Sequence, residues 1–266
     1  MNNLFDLAAH CLFNRSVEDK LAVTHKAWQL YVAQGLCMQS ADSLLPIENT
    51  VFPETPQLLM PRDMPRRSLN TQLGKAAFFH ALAHIEFMAI HLAWDIMYRF
   101  RGLPLEFYSD WLRIADEEAQ HFSLIRTHLL SMGVDYGDLP AHRGLWLHAE
   151  QTDTNLLARL AVVPRCMEAR GLDVTPVMID KLKSMEDNAG VEILSRIYQD
   201  EIGHVERGSY WFKRFAIEQG QEPDSCFAQL LLTYIGKPKG PFNRDVRIIA
   251  GFSHNEIDWL EAGLHE

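Results

Sequence analysis

Strand signals are almost missing from this chain. Short alternating runs of β-branched residues bounded by Asn-Gly or Asp-Gly do not occur, which argues against an ordinary sheet protein. Cysteine is sparse. The four thiols, at 11, 37, 166 and 226, form no Cys-x-x-Cys pair and suggest neither a disulfide framework nor a zinc knuckle. They read as scattered buried thiols in a reducing compartment. The N-terminus, MNNLFDLAAHCLFNRSVEDK, lacks a basic segment followed by a long apolar run, so no signal peptide is expected. No run of 18 apolar residues occurs, so no membrane span is expected and a cytoplasmic location is the default. Net positive charge is lacking too: the chain carries −10 at pH 7, with a pI of about 5.6. That balance argues against a nucleic-acid groove and against anionic membrane surfaces, although Arg62, Arg66 and Arg67 lie close enough for a local basic patch.

What the chain does have is helical spacing. Its 266 residues are 47% hydrophobic with a mean hydropathy of −0.13, ample material for a core. Residues 17–43 read as a helix with Ala22, Ala27, Leu30 and Ala33 on one side. Residues 45–69 hold Pro46, Pro53, Pro56, Pro61 and Pro65, and predict an irregular arm that wraps the body, with a flexible linker as the alternative. A first long helix is expected from Ser68 or Thr71 to Phe100, stopped by Gly102 and Pro104. A second runs from Pro104 to Met132, ended by Gly133. A third runs from Thr152 to Arg170, with Gly171 as its stop and Pro164 expected to kink or limit it. A shorter helix follows from Thr175 or Pro176 to Met185, and a fourth long helix spans 188–219. Beyond it come a short helix over 226–234, the loop Gly236–Phe242 and a terminal helix over 254–264. The loop resembles a phosphate loop only superficially, since no strand precedes it and its prolines remove donors. The reading is a single all-α domain over 1–266. Its four-helix core spans 71–219, flanked by a helical and proline-rich arm (1–70) and a C-terminal extension (220–266).

One pattern recurs. Glu86 precedes Glu118-Ala-Gln-His121 by 32 residues, and Glu168 precedes Glu201-Ile-Gly-His204 by 33. Residues three apart share a helix face, so each Glu-x-x-His aims a carboxylate and an imidazole at one point. Two helices joined by a short loop return the chain to the same height, which gives the equal offsets a geometric meaning. Glu86, Glu118 and Glu201 each interrupt an apolar stripe. A buried carboxylate without a partner costs several kcal/mol or becomes neutral, and four in one core would repel. Two divalent cations remove both problems. Glu168 is the least secure member. It lies near the expected helix end, and Arg165 on its face offers an alternative salt bridge; Glu192 and Glu206 are the substitutes, at offsets that face elsewhere. Four carboxylates and two imidazoles form an oxygen-rich set suited to iron or manganese, singly or mixed, with positions left open for dioxygen or solvent.

This pattern resembles the ferritin-like di-iron superfamily, which includes rubrerythrins, ribonucleotide reductase small subunits and tRNA-modifying hydroxylases. The resemblance covers residues 71–219. The segments MEARGLDVTP (167–176) and DEIGHVERG (200–208) also resemble a bacterial ferritin-like family of unknown function. The resemblance implies a ferritin-like four-helix bundle holding two iron ions. Glu86, Glu118 and His121 would hold one ion and Glu168, Glu201 and His204 the other, with Glu118 and Glu201 as bridges.

Neighbouring candidates follow. Tyr198 sits one turn before Glu201 where the other half has Ala115; it could place a phenol beside one metal, against the reading of a satisfied core tyrosine. Trp94 could carry electrons or simply fill core. His80, His84, His91 and His128 read as ordinary histidines, with His84 as a minor candidate to support the ligands. Asp116, Glu117 and Asp200 are near enough to orient metal-bound imidazoles. Three functions compete. The first is an oxidoreductase that activates dioxygen to hydroxylate, oxidise or desaturate a small organic substrate, supplied by an unidentified electron donor. The second is iron storage or peroxide detoxification, against which the extra segments count. The third is a non-enzymatic helical scaffold. Nucleic acid and membrane partners are not expected, and a homodimer is allowed.

Overall fold

The computed structural model describes residues 2–39, 44–65 and 67–262, and in it the helical spacing becomes a nearly all-helical chain. Two compact units are present, Met1–Glu150 and Gln151–Glu266.

In the first unit, α1 (Leu4–Phe13) starts at Asn3, whose side chain accepts the Phe5 N–H, and α2 (Val17–Val32) starts at Ser16, which caps Asp19 N–H. The long hairpin is α3 (Gln72–Arg99) and α4 (Leu105–Ser131). Thr71 caps α3 by accepting the Gly74 N–H at 3.0 Å. Gly102, at φ 72°, supplies the left-handed turn that sends the chain back through Pro104 into α4. The two helices pack along their length, with α1 against α3 and α2 against α4. Phe79, Ala83, Ile90 and Trp94 of α3 and Ile114, Phe122 and Ile125 of α4 are all buried. Trp94 Nε1 donates to Thr24 Oγ1 at 2.8 Å, which ties α3 to α2 and gives this indole a packing role. By length and composition α3 could cross a membrane, yet 72% of its most apolar stretch is buried within the protein.

The second helix ends at Val32, well short of the expected 43. Gln34 takes φ 56° and Gly35 N–H bonds back to Leu30 O at 2.8 Å, which closes the helix. Residues 40–43 of that expected helix, and Arg66 of the basic group, lie outside the described residues. The proline-rich arm is irregular as expected. It holds two short 3-10 turns (Ile47–Asn49, Pro61–Asp63) and β1 (Leu58–Leu59), which pairs in parallel with β2 (Ala141–His142). It is fixed to the unit by Val51 N–H to Leu12 O at 3.0 Å and Leu45 N–H to the Tyr98 hydroxyl at 3.1 Å. The buried Lys20 ammonium also donates to Val51 O at 3.2 Å and to Cys11 O. A short α5 (Gly144–Gln151), not expected from the sequence, follows β2. All four cysteines are free; Cys11, Cys166 and Cys226 are buried, whereas Cys37 is exposed.

In the second unit, α6 (Leu156–Val162), a π-helical segment (Val163–Glu168) and α7 (Ala169–Ser184) run on without a break. The expected stop at Gly171 does not occur. Glycine ends a helix by taking a left-handed conformation, and Gly171 is absent from the positive-φ residues. Pro176 is likewise inside α7 instead of opening a new helix. A helical proline leaves the carbonyl four residues earlier without its donor. Here that carbonyl, Leu172 O, accepts the Asn243 side-chain amide at 3.3 Å. Pro164 perturbs its helix as expected, and the perturbation is the π segment. Next come α8 (Asn188–Glu218), α9 (Pro223–Tyr234), an unexpected short α10 (Arg244–Ile249) and α11 (His254–Glu261). Residues 263 and 264 of the expected last helix lie outside the described residues. The loop before α10 is structural. Asp173 accepts from Asn243 N–H at 2.8 Å and from the Arg247 guanidinium at 2.9 and 2.7 Å, while Arg170 donates to Pro241 O at 2.7 Å.

Candidate metal centre

The first unit brings three of the expected ligands to one place. Glu86 lies midway along α3, and Glu118 and His121 lie one turn apart on α4; all three are buried, Glu118 and His121 to within 1%. His121 Nδ1 is 3.2 Å from Glu86 Oε2 and 3.5 Å from Glu118 Oε2. One ligand atom from each residue lies within 4.8 Å of the others, a spacing that could hold a metal ion.

Burial and like charge dominate the electrostatics of this group. Burial drives the Glu86 carboxyl well above the usual carboxylate range, and the Glu118 charge pushes it further; the bond to His121 offsets only part of this. A proton on the cluster relieves the repulsion in the absence of an ion. A divalent ion relieves it better, since it meets both carboxylates and the imidazole lone pair at once. Two carboxylates and one nitrogen, with no thiolate among them, suit a hard or borderline metal.

The second unit repeats the local geometry of the motif. His204 Nδ1 is 3.4 Å from Glu201 Oε1, close to the 3.5 Å of the His121–Glu118 pair. His204 is fully buried and Glu201 partly so. Glu168 is the last residue of the π segment, is partly buried, and has one carboxylate oxygen shut off from solvent. The π turn carries an extra residue, so the direction in which Glu168 projects differs from the α-helical face assumed from the sequence. The only signal for this was Pro164. Arg165 is not the ion-pair partner of Glu168; its guanidinium reaches Glu256 at 2.7 Å.

Other candidates are engaged elsewhere. The Tyr198 hydroxyl accepts from Asn243 Nδ2 at 3.4 Å, and burial with the Asp173 charge pushes its pKa up. His84 is held between the Tyr136 hydroxyl and His142 O, each at 3.0 Å. Since the carbonyl can only accept, His84 Nε2 donates and its Nδ1 accepts from the phenol. His80 accepts the Gly137 N–H at 3.0 Å, His91 Nδ1 donates to Phe87 O at 2.9 Å, and His128 packs edge-on against Phe79. Glu117 and Asp200 face Arg113 and Arg196 on their own helices, Glu206 pairs with Arg207, and Glu192 is exposed.

Asp116 takes a partner the sequence did not reveal. It accepts from His25 of α2 at 2.5 Å and from Gln120 at 2.9 Å. The hydrogen bond to Asp116 raises the His25 pKa above 6.5, against a smaller lowering by burial. The folded state thus binds this proton more tightly than the unfolded chain. The contribution is fully present below pH 6.5 and is lost as pH rises through the folded value. His25→Phe is therefore expected to lower the unfolding temperature more at about pH 6 than at about pH 8.5, by a small amount because His25 is partly exposed. Equal losses at both pH values would remove the ion pair from the account.

Comparison with known proteins adds a family but no chemistry. Over residues 13–258 the sequence matches the family described as "Protein of unknown function (DUF455)". It is 45% identical over 236 residues to an "Uncharacterized protein" of Haemophilus influenzae, covering 85% of this chain and 82% of the relative. No solved structure matches the chain.

Proposed function

The chain belongs to the DUF455 family, and from that premise we propose that it is a di-metal carboxylate protein of the ferritin-like kind, with iron as its metal, that oxidises a small organic substrate. Glu86, Glu118 and His121 would hold one ion and Glu168, Glu201 and His204 the other, with Glu118 and Glu201 as the bridging carboxylates. The observation that carries this reading is the buried Glu86–Glu118–His121 group, whose ligand atoms lie within 4.8 Å of one another. No structural need explains two carboxylates facing each other in an apolar core, and the cost of burying them is large. A bound cation turns that cost into affinity.

With both ions in place, the centre would supply reduction of dioxygen coupled to oxidation of the substrate. The protein's own contribution is charge and exclusion. Four carboxylates offset the charge of two divalent ions. The imidazoles of His121 and His204 complete each set with a neutral donor. Phe87 and Phe122, next in sequence to Glu86 and His121, are buried with ring centroids 5.3 Å apart and give α3 and α4 an apolar setting beside these residues. The long segments outside the two hairpins favour substrate oxidation over iron storage, since a minimal storage bundle needs little beyond them.

The deciding measurement is metal content after anaerobic purification and reconstitution with ferrous iron. Tight, stoichiometric iron followed by oxygen consumption on exposure to air supports the reading. Protein that retains no iron or manganese after reconstitution sinks it, and iron retained without oxygen uptake removes the oxidase step.

A further inference from the structure

An unusual buried ion pair joins the C-terminal helix to the π segment. Arg165 is fully buried, as is the side chain of Glu256 on α11. Arg165 Nη2 donates to Glu256 Oε2 at 2.7 Å, and its Nε donates to Ser209 Oγ at 3.2 Å. The guanidinium also sits over the rings of Phe212, Phe227 and Phe252, with 4.7, 4.3 and 4.6 Å to their centroids. Glu256 is fixed in turn. Its Oε2 accepts the Ser253 N–H at 2.8 Å, and Ser253 Oγ accepts the Glu256 N–H, which closes a capping box. Gly251, at φ 86°, brings the loop before α11 onto α8, where a Cβ would meet Ser209 Cβ at 2.9 Å.

For stability alone this is a poor arrangement. Arg165 Nη1 and Glu256 Oε1 are buried with no hydrogen-bond partner among the described residues. A half-satisfied buried pair is commonly no better than apolar residues of the same volume. What the pair does accomplish is positional. Arg165 lies on the π turn, three residues before Glu168, and every group that grips it comes from α8, α9, α11 or the loop before α11. The π conformation is intrinsically disfavoured, and without outside contacts the turn has reason to relax to an α-helix and swing Glu168 to another face.

We infer that the C-terminal helix sets the position of Glu168: Glu256 is a positioning residue that acts through Arg165. The inference rests on the di-metal reading and assigns the C-terminal extension a task within it. The metal groups themselves gain no ligand from α11.

The test is titration with manganese(II), read by the EPR signal of the free ion, on the full chain and two variants. Arg165→Met/Glu256→Met replaces the pair with apolar volume, and Glu256→Gln keeps the shape while removing the charge. Wild type is expected to bind two ions. Both variants are expected to keep one ion unchanged and to bind the other ~10-fold more weakly, the usual scale for groups that orient a ligand. The metal-free unfolding temperature of the double methionine variant should stay within a few degrees of wild type, whereas Glu256→Gln, which leaves the buried Arg165 charge without its counter-ion, should fall further. Unchanged affinity for both ions in the variants overturns the inference and leaves the di-metal reading standing. Loss of both ions together with a large fall in metal-free stability in Arg165→Met/Glu256→Met also overturns it, because the pair is then only a fold requirement. A wild-type chain that binds no manganese or iron overturns the di-metal reading itself.

Discussion

Glu118→Ala is expected to lose at least about 100-fold in iron affinity, with iron content after reconstitution falling from two ions towards none. Glu118 is the proposed ligand with most to lose. It is 1% exposed, shares Nδ1 of His121 with Glu86, and is the proposed bridging carboxylate of its half. On the proposed reading, removing it would take a ligand from both ions at once. Glu192→Ala, on an exposed position of α8, should leave metal content unchanged and controls for general effects of deleting a carboxylate. The metal-free protein should respond with the opposite sign. Glu86 and Glu118 repel across a buried gap, and the Glu86 carboxyl is driven upward by burial and by that charge. Glu118→Gln keeps the volume and deletes the charge, so the metal-free variant should be more stable than metal-free wild type by about 1 kcal/mol. Iron should stabilise wild type well beyond either, because it binds the folded state alone. Calorimetry with and without iron checks both signs. Equal iron content in Glu118→Ala and wild type would discard the ligand assignment. Lower metal-free stability of Glu118→Gln would mean that Glu118 serves the fold.

Which parts of this molecule were legible in its sequence follows from the range of the forces involved. The hairpin of α3 and α4 was legible to within a residue or two because its stops are local: a Thr71 cap, a left-handed Gly102, a proline at 104. The proximity within each Glu-x-x-His was legible for the same reason, since it is an i, i+3 relation that any helix produces, and both copies do so at about the same Nδ1–O distance. Pro176 misled because its usual effect was overridden from far along the chain, where Asn243 takes up the carbonyl it leaves open, and Gly171 misled because it stays helical and never takes the left-handed turn. The His25–Asp116 pair joins residues 91 apart in sequence, and the Arg165–Glu256 pair likewise. Neither leaves a trace in helical periodicity. The π segment is a shift in backbone hydrogen bonding, and only a neighbouring proline hinted at it.

That segment also gives the largest expected effect on the fold. Gly208→Ala should destabilise the protein by about 1–3 kcal/mol. On α8, a Cβ at 208 would stand 2.5 Å from Pro164 Cβ and 2.8 Å from its Cγ. Both are far inside van der Waals contact, and a proline ring cannot rotate away as the tip of a flexible side chain can. The competing effect is real, because alanine favours a helix interior over glycine by about 1 kcal/mol. Gly171→Ala isolates that term. Beyond its own helical backbone and chain neighbours, no atom of the described residues lies within 4 Å of a Cβ built there, and the residue is helical, so this substitution should stabilise by roughly 0.5–1 kcal/mol. The two substitutions are chemically identical and should move the unfolding temperature in opposite directions, by about 2–4 °C per kcal/mol for a chain of this size. Gly208→Ala should also weaken metal binding beyond its cost in stability. The contact it disrupts is with Pro164, on the same π turn that carries Glu168, so relief of the clash would displace this proposed ligand. A stabilising Gly208→Ala would show that the turn yields freely, and would remove close packing of Pro164 on α8 as the reason the π segment persists.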